Sequence, residues 1–129
     1  MSSELELLIQ LKKQLVDFLD ELIESFPEEP DFVIFRIFVK DQIPIEDVMK
    51  YICAQLLPLR NEVKERNDNF FLNHNVLFEK FDEKKSSKVN QFKRLWLSPR
   101  VDKKDKDVIW QWFDSFLYLA NKYQQLNLV

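Results

Sequence analysis

Cys53 and His74 are the only cysteine and the only histidine among 129 residues, so nucleophilic and metal chemistry have few places to start. Cys53 falls on an apolar stripe with Ile45, Val48, Met49, Ile52, Leu56 and Leu57, where a thiol packs as a small inert hydrophobe. A Cys53–His74 dyad has no support beyond the presence of both residues. One histidine cannot supply the two Glu-x-x-His motifs of a di-iron bundle. The stretch NDNFFLNHNVLFE superficially resembles a calcium loop, but it lacks the turn glycine and sets Phe and Leu where oxygen ligands belong. The paired acids Glu28-Glu29 and Glu46-Asp47 stand at expected helix starts, where capping and the helix dipole account for them. The chain is therefore expected to be no enzyme, with no catalytic residue, no cofactor and no metal site.

A second kind of chemistry is carried by KKSSKVNQFKRLWLSPRVDKKDK. Residues 84–106 hold nine Lys and Arg against Asp102 and Asp105, a balance of +7, with Phe92 and Trp96 interleaved. Basic residues alternating with aromatics suit phosphate contacts plus base stacking. The same spacing also has a plain structural meaning. Val89, Phe92, Leu95 and Trp96 follow the three-to-four repeat of a core face, which leaves Lys88, Lys93 and Arg94 as a solvated side. Residues 1–31 carry nine acids against Lys12 and Lys13, a balance of −7. Such a separation of charge lets a chain associate head to tail, or hold a charged protein by complementarity.

These residues must be positioned by helices. The chain has no glycine, where an average one of this length has about nine. Without it the Walker loop, the dinucleotide fingerprint and the usual tight β-hairpins are removed together. The expected architecture is all-α: a compact bundle of five or six helices with no β-sheet, residues 1–129 forming a single domain of the size that length favours. The longest nearly uncharged run, 32–39, contains Arg36 and is too short to span a bilayer. MSSELELLIQ carries acids where a signal peptide has basic residues, and one cysteine excludes an intramolecular disulfide framework, so a reducing compartment is expected.

The first helix is expected from about Glu4 to Phe26, with Ser3 as cap and Glu6 completing a capping box. Its apolar face takes in Leu5 and Ile9 as well as Leu7, Leu8, Leu11, Leu15, Phe18, Leu19 and Leu22. Pro27 and Pro30 end it. DFVIFRIFV has strand propensity but no strand partner elsewhere, which favours a short buried helix capped by Asp31. Pro44 opens the next helix in its first turn, and Pro58 kinks or stops it. A further helix is expected from Asp68 or Asn69 through Phe81. DEKKSSK reads as a mobile loop, Ser86 or Ser87 as the cap of a helix over 88–97, Ser98-Pro99 as its break, and Asp102 as the cap of a last helix reaching about Gln125.

That last helix contains VIWQWFDSFLYLANKY, with two Trp, two Phe and two Tyr in sixteen positions. Its apolar arc covers about 200°, twice the stripe of about 100° that a surface helix needs. Either the helix lies at the centre of the bundle with neighbours on both flanks, or Trp110, Leu117 and Tyr118 form a shoulder that anchors a partner. The candidate partner-binding residues are that shoulder and the basic set Lys93, Arg94, Arg100, Lys103 and Lys104. The expected function is protein–protein interaction or assembly with a protein partner of acidic character, homo-oligomerisation included. Nucleic-acid binding through 84–106 is the second choice, and no membrane partner is expected.

FPEEPDFVIFRIFVKDQIP, NHNVLFEKF and VIWQWFDSFLYLANKY together resemble a small all-helical protein recurring in nucleocytoplasmic large DNA viruses of algae and protists. The resemblance implies a virus-encoded protein in the host-cell cytoplasm or in the virion. That family is functionally uncharacterised, so no site residue follows from it.

Overall fold

Leucine and phenylalanine recurring every three to four residues make α1 (Ser3–Ser25), which buries Leu7, Leu8, Leu11, Leu15, Phe18, Leu19 and Leu22. The computed structural model describes residues 3–72 and 93–127. Within them the protein is all-α, with no strand. The expected mobile loop at DEKKSSK, the Ser86 or Ser87 cap, the extension of a helix to Phe81, and the side chains of His74 and Phe92 lie outside the described residues.

Phe26 closes α1 through its amide on the Leu22 carbonyl, and Pro27 starts a turn into α2 (Pro30–Ile37). The cap of α2 is Glu29, not Asp31. Proline has a fixed φ and no amide to satisfy, so Pro30 takes the first helical position and moves Asp31 inside the first turn. The segment is helical as its lack of a strand partner demands, but it is not a buried helix. Phe32 and Phe35 point inward, whereas Val33, Ile34 and Ile37 are exposed. It runs on as one turn of π-helix over Phe38–Gln42, closed by the Ile43 amide on the Phe38 carbonyl.

Pro44 stands before the next helix rather than in its first turn: its extended ψ of 132° makes it the N-cap of α3 (Ile45–Tyr51). Pro58 then breaks the chain's helical course over several residues. It lacks the amide that would complete the preceding turn, and the backbone adapts by widening to π-helix over Ile52–Leu56 and tightening to 3-10 over Leu57–Leu59. The short α4 (Arg60–Lys64) and α5 (Asn69–Leu72) follow. A short helix at 93–97, here α6, is stopped at Ser98-Pro99.

Asp102 caps α7 (Lys103–Asn127): its carboxylate accepts the Asp105 amide at 2.8 Å, and Asp105 returns the contact to the Asp102 amide at 3.3 Å. α7 lies antiparallel against α1 along nearly the whole of both. Tyr123 donates to Glu4 (3.1 Å), Ser115 to Gln14 (2.6 Å) and the Trp112 indole to Glu21 (2.6 Å), so the start of one helix meets the end of the other. Between these bonds Phe18 packs against Trp112, Phe113 and Phe116 with ring centroids 5.6–5.9 Å apart. On the far flank of α7, Phe70, Phe71 and Trp96 close over Trp110 and Phe113. The wide aromatic arc is thus core on both sides of a central helix.

Candidate partner-binding surfaces

The aromatic shoulder separates into two buried side chains and one exposed ring. Trp110 is 3% exposed and Leu117 7%, which leaves neither able to anchor a partner, because the indole is enclosed by Phe70, Phe71, Trp96 and the Arg66 guanidinium. Tyr118 stays at the surface at 57%, with the Lys122 ammonium 4.9 Å from its ring centroid.

The basic residues fare differently. Lys93 and Arg94 lie on α6, half-buried and exposed, and Lys103 and Lys104 are exposed in the first turn of α7. Arg100, between the two helices, is turned back on its own chain. Its guanidinium bonds Glu28, reaches Glu29 at 3.1 Å and lies over the Phe26 ring. Part of the acidic N-terminal third is therefore neutralised by the basic segment within one molecule. Lys106 is likewise held inward, 5.0 Å from the centre of the Trp96 ring.

The corner where α6 meets α7 also presents a residue missed by sequence reasoning. Leu97 is 66% exposed, more than any other large hydrophobic side chain among the described residues. On α6, Leu97 shares a side with Arg94 at three residues and Lys93 at four. Leu95 and Trp96 face the core, and the next position carries the helix surface outward. The three-to-four repeat that sets Leu95 and Trp96 inward already left Leu97 off the core face, and packing of Trp96 against Phe71 and Trp110 fixes that orientation. The corner thus exposes Leu97 on the same helix as Lys93 and Arg94 and a few residues before Lys103 and Lys104. Lys103 and Lys104 sit at a helix N-terminus, where the macrodipole disfavours positive charge.

Other surfaces are of a different kind. Between α1 and α7 a cleft of about 300 Å³ is walled by Phe18, Phe26 and Trp112 and rimmed by Glu21, Glu24 and Asp105. Between α4 and α7 a shallower groove of about 450 Å³ is lined by Arg60, Lys64 and Arg66, with Asp114 and Leu117 behind them. Arg66 donates to both oxygens of Asp114 at 2.8 and 2.7 Å, and that bonding raises its already high pKa. Exposed apolar residues also mark the start of α1, at Leu5 (54%) and Ile9 (60%).

The chemistry of the reactive residues is limited by their surroundings. Cys53 is half-buried on the π-helical turn and donates its thiol to the Ala120 carbonyl at 3.4 Å; burial raises its pKa, which disfavours the thiolate. Among the described residues no three His, Cys, Asp or Glu side chains are grouped to hold a metal ion. No helix there is long and apolar enough to cross a membrane. No family model matches the chain, and neither curated proteins nor solved structures gave a match.

Proposed function

We propose that this protein acts without catalysis, as a protein–protein interaction or assembly factor, and that the α6–α7 corner is its docking surface. The observation that supports this is Leu97, an exposed leucine on the helix that carries Lys93 and Arg94, in the segment that continues to Lys103 and Lys104. Anchor residues at interfaces supply burial, and surrounding charges supply steering and orientation. A surface built only for phosphate has no use for a bare leucine at its centre. The partner this corner suits is acidic, with an apolar side chain to meet Leu97. Lys103 and Lys104 at the N-terminus of α7 stand against its dipole, offset among the described residues only by the exposed contact of Lys103 with Asp107 at 3.8 Å.

From the resemblance to small helical proteins of large DNA viruses we propose an infected host cell's cytoplasm, or the particle, as the setting of this role. Nucleic-acid binding through the same cations is the second reading, favoured by the density of Lys and Arg alone. The two separate in an affinity purification of the tagged protein from its native cell, with and without nuclease. The protein reading requires a stoichiometric protein that survives nuclease and is lost on Leu97→Asp. Nucleic acid in the untreated sample, with every co-purifying protein gone after nuclease, overturns it.

A further inference from the structure

The cleft between α1 and α7 sets three carboxylates around an apolar floor. Phe18, Leu22, Phe26, Ile109 and Trp112 line it, and Val108, 37% exposed, stands at its mouth. Glu24 is in the last turn of α1 with Glu21 just before it, and Asp105 comes from the first turn of α7. That last turn carries no basic residue, so both glutamates stand at the negative end of the helix dipole. Among the described residues nothing basic lines the cleft. The cations of neighbouring segments are engaged elsewhere: Arg36 with Asp20, Arg100 with Glu28 and Glu29 beside the Phe26 ring, and Lys106 over Trp96. Lys104, one turn before Val108, is exposed and does not line the cleft. Glu21 gives one oxygen to the Trp112 indole and Asp105 one to the Asp102 amide, and each has a second.

We infer that this cleft binds a linear aliphatic polyamine, with its methylene stems on the apolar floor and its ammonium groups at the carboxylates. The spread of the charges selects that chemistry. No three acids among the described residues are grouped to hold a metal ion, so Glu21, Glu24 and Asp105 border the cleft without converging on one point. A compact metal cation cannot meet all three, whereas ammonium groups spaced along a chain reach separated carboxylates. A neutral ligand leaves the acids at the end of α1 unopposed. The Trp112 ring adds attraction for an ammonium. Asp105 is already favoured by the N-terminus of α7, so Glu21 and Glu24 supply most of the attraction. The volume of about 300 Å³ is at the small end for ligand sites and suits a chain of about ten non-hydrogen atoms. A dissociation constant of about 0.1–1 mM fits such a ligand held by partly solvated charges. The site uses no residue of the α6–α7 corner proposed above, so neither reading depends on the other.

Titration of the nitrogen-15-labelled chain with spermidine at low salt, followed by nuclear magnetic resonance, tests the inference. The reporter is the Trp112 indole N–H, which is bonded to Glu21 in the cleft, with the buried Trp96 and Trp110 indoles as references. A saturating shift confined to Trp112 is expected, with half-saturation at or below about 1 mM. Glu24→Gln should weaken it about three- to tenfold, and Glu6→Gln, at the far end of α1, should leave it unchanged. Val108→Lys, which brings a cation to the mouth, should abolish it. Both cleft alterations are at exposed sites; if circular dichroism shows that one loses helix, the other decides. A shift that does not saturate by about 10 mM overturns the inference, as does equal weakening in Glu6→Gln. Magnesium chloride reproducing the shift at the same concentration would also overturn it. A tetralysine peptide that shifts Trp112 at tenfold lower concentration than spermidine would assign the cleft to a basic protein segment instead.

Discussion

Arg66 holds Asp114 with both arms of its guanidinium while its own backbone lies in the left-handed region, at φ 55°. The amides of Asn67 and Arg66 close on the carbonyls of Glu62 and Val63, the Schellman arrangement that usually ends on glycine. In a chain without glycine, an arginine takes the left-handed position. Its side chain offsets that cost by bonding the Val63 carbonyl, Asp114 and the face of Trp110.

This arrangement separates backbone from side-chain effects. Arg66→Ala loses the contacts and keeps the left-handed cost, whereas Arg66→Gly loses the contacts and removes the cost. The glycine variant should be the more stable of the two by about 1 kcal/mol in urea unfolding. An alanine variant equal to or more stable than the glycine variant contradicts the strain.

Trp110 and Tyr118 stand eight positions apart on α7 and should respond in opposite ways. Trp110 fills the space between α5, α6 and α7, so Trp110→Ala should cost about 3–5 kcal/mol. Tyr118→Ala should lie within about 0.5 kcal/mol of the unaltered chain. Chemical denaturation of both measures the contrast. A loss of partner binding in Trp110→Ala therefore reports unfolding unless its stability is measured alongside.

Cys53 provides a pH test. Burial raises its pKa above that of a free thiol, so the folded chain holds the proton at pH values where the unfolded chain has released it. Its contribution to stability is full below the unfolded thiol's pKa and is lost as pH rises through the higher folded value. Alkylation by iodoacetamide should show a pH midpoint higher for native protein than for protein in denaturant. Coincident midpoints would contradict the burial effect, and a lower native one would indicate an activated thiol and reopen catalysis.

Arg100 was grouped by its sequence with the partner-facing cations, but its guanidinium is committed to Glu28 and Glu29. Arg100 and Glu28 are substantially solvated and Glu29 is half-buried, so Arg100→Ala should cost about 1 kcal/mol or less, and less still at high salt. Partner binding should change little, in contrast to Arg94→Glu. Equal loss of binding in the two variants would bring Arg100 back into the interface.

The parts of this structure legible in the sequence are those governed by local periodicity and caps. α1 and α7 are long enough for their apolar repeat to outweigh any competing pattern, and Asp102 caps α7 through a side chain that can do little else there. α2 was legible as a helix but not in its cap, because aspartate and proline both mark helix starts and here they are adjacent. The π-helical turns at 38–42 and 52–56 carry no compositional mark; only Pro58 hinted at the second. The burial of Trp110 and Leu117 and the exposure of Leu5 and Ile9 depend on which neighbours arrive on each flank. That information is tertiary, so the wide arc of α7 favoured a central helix without excluding an interface shoulder.

The docking surface itself is tested most directly by photo-crosslinking in the native cell. A benzophenone amino acid is placed at position 97 in one variant and at position 118 in another. The account predicts a nuclease-resistant protein adduct from position 97 and none from position 118. An adduct from position 118 alone, or one from position 97 that nuclease removes, would contradict it.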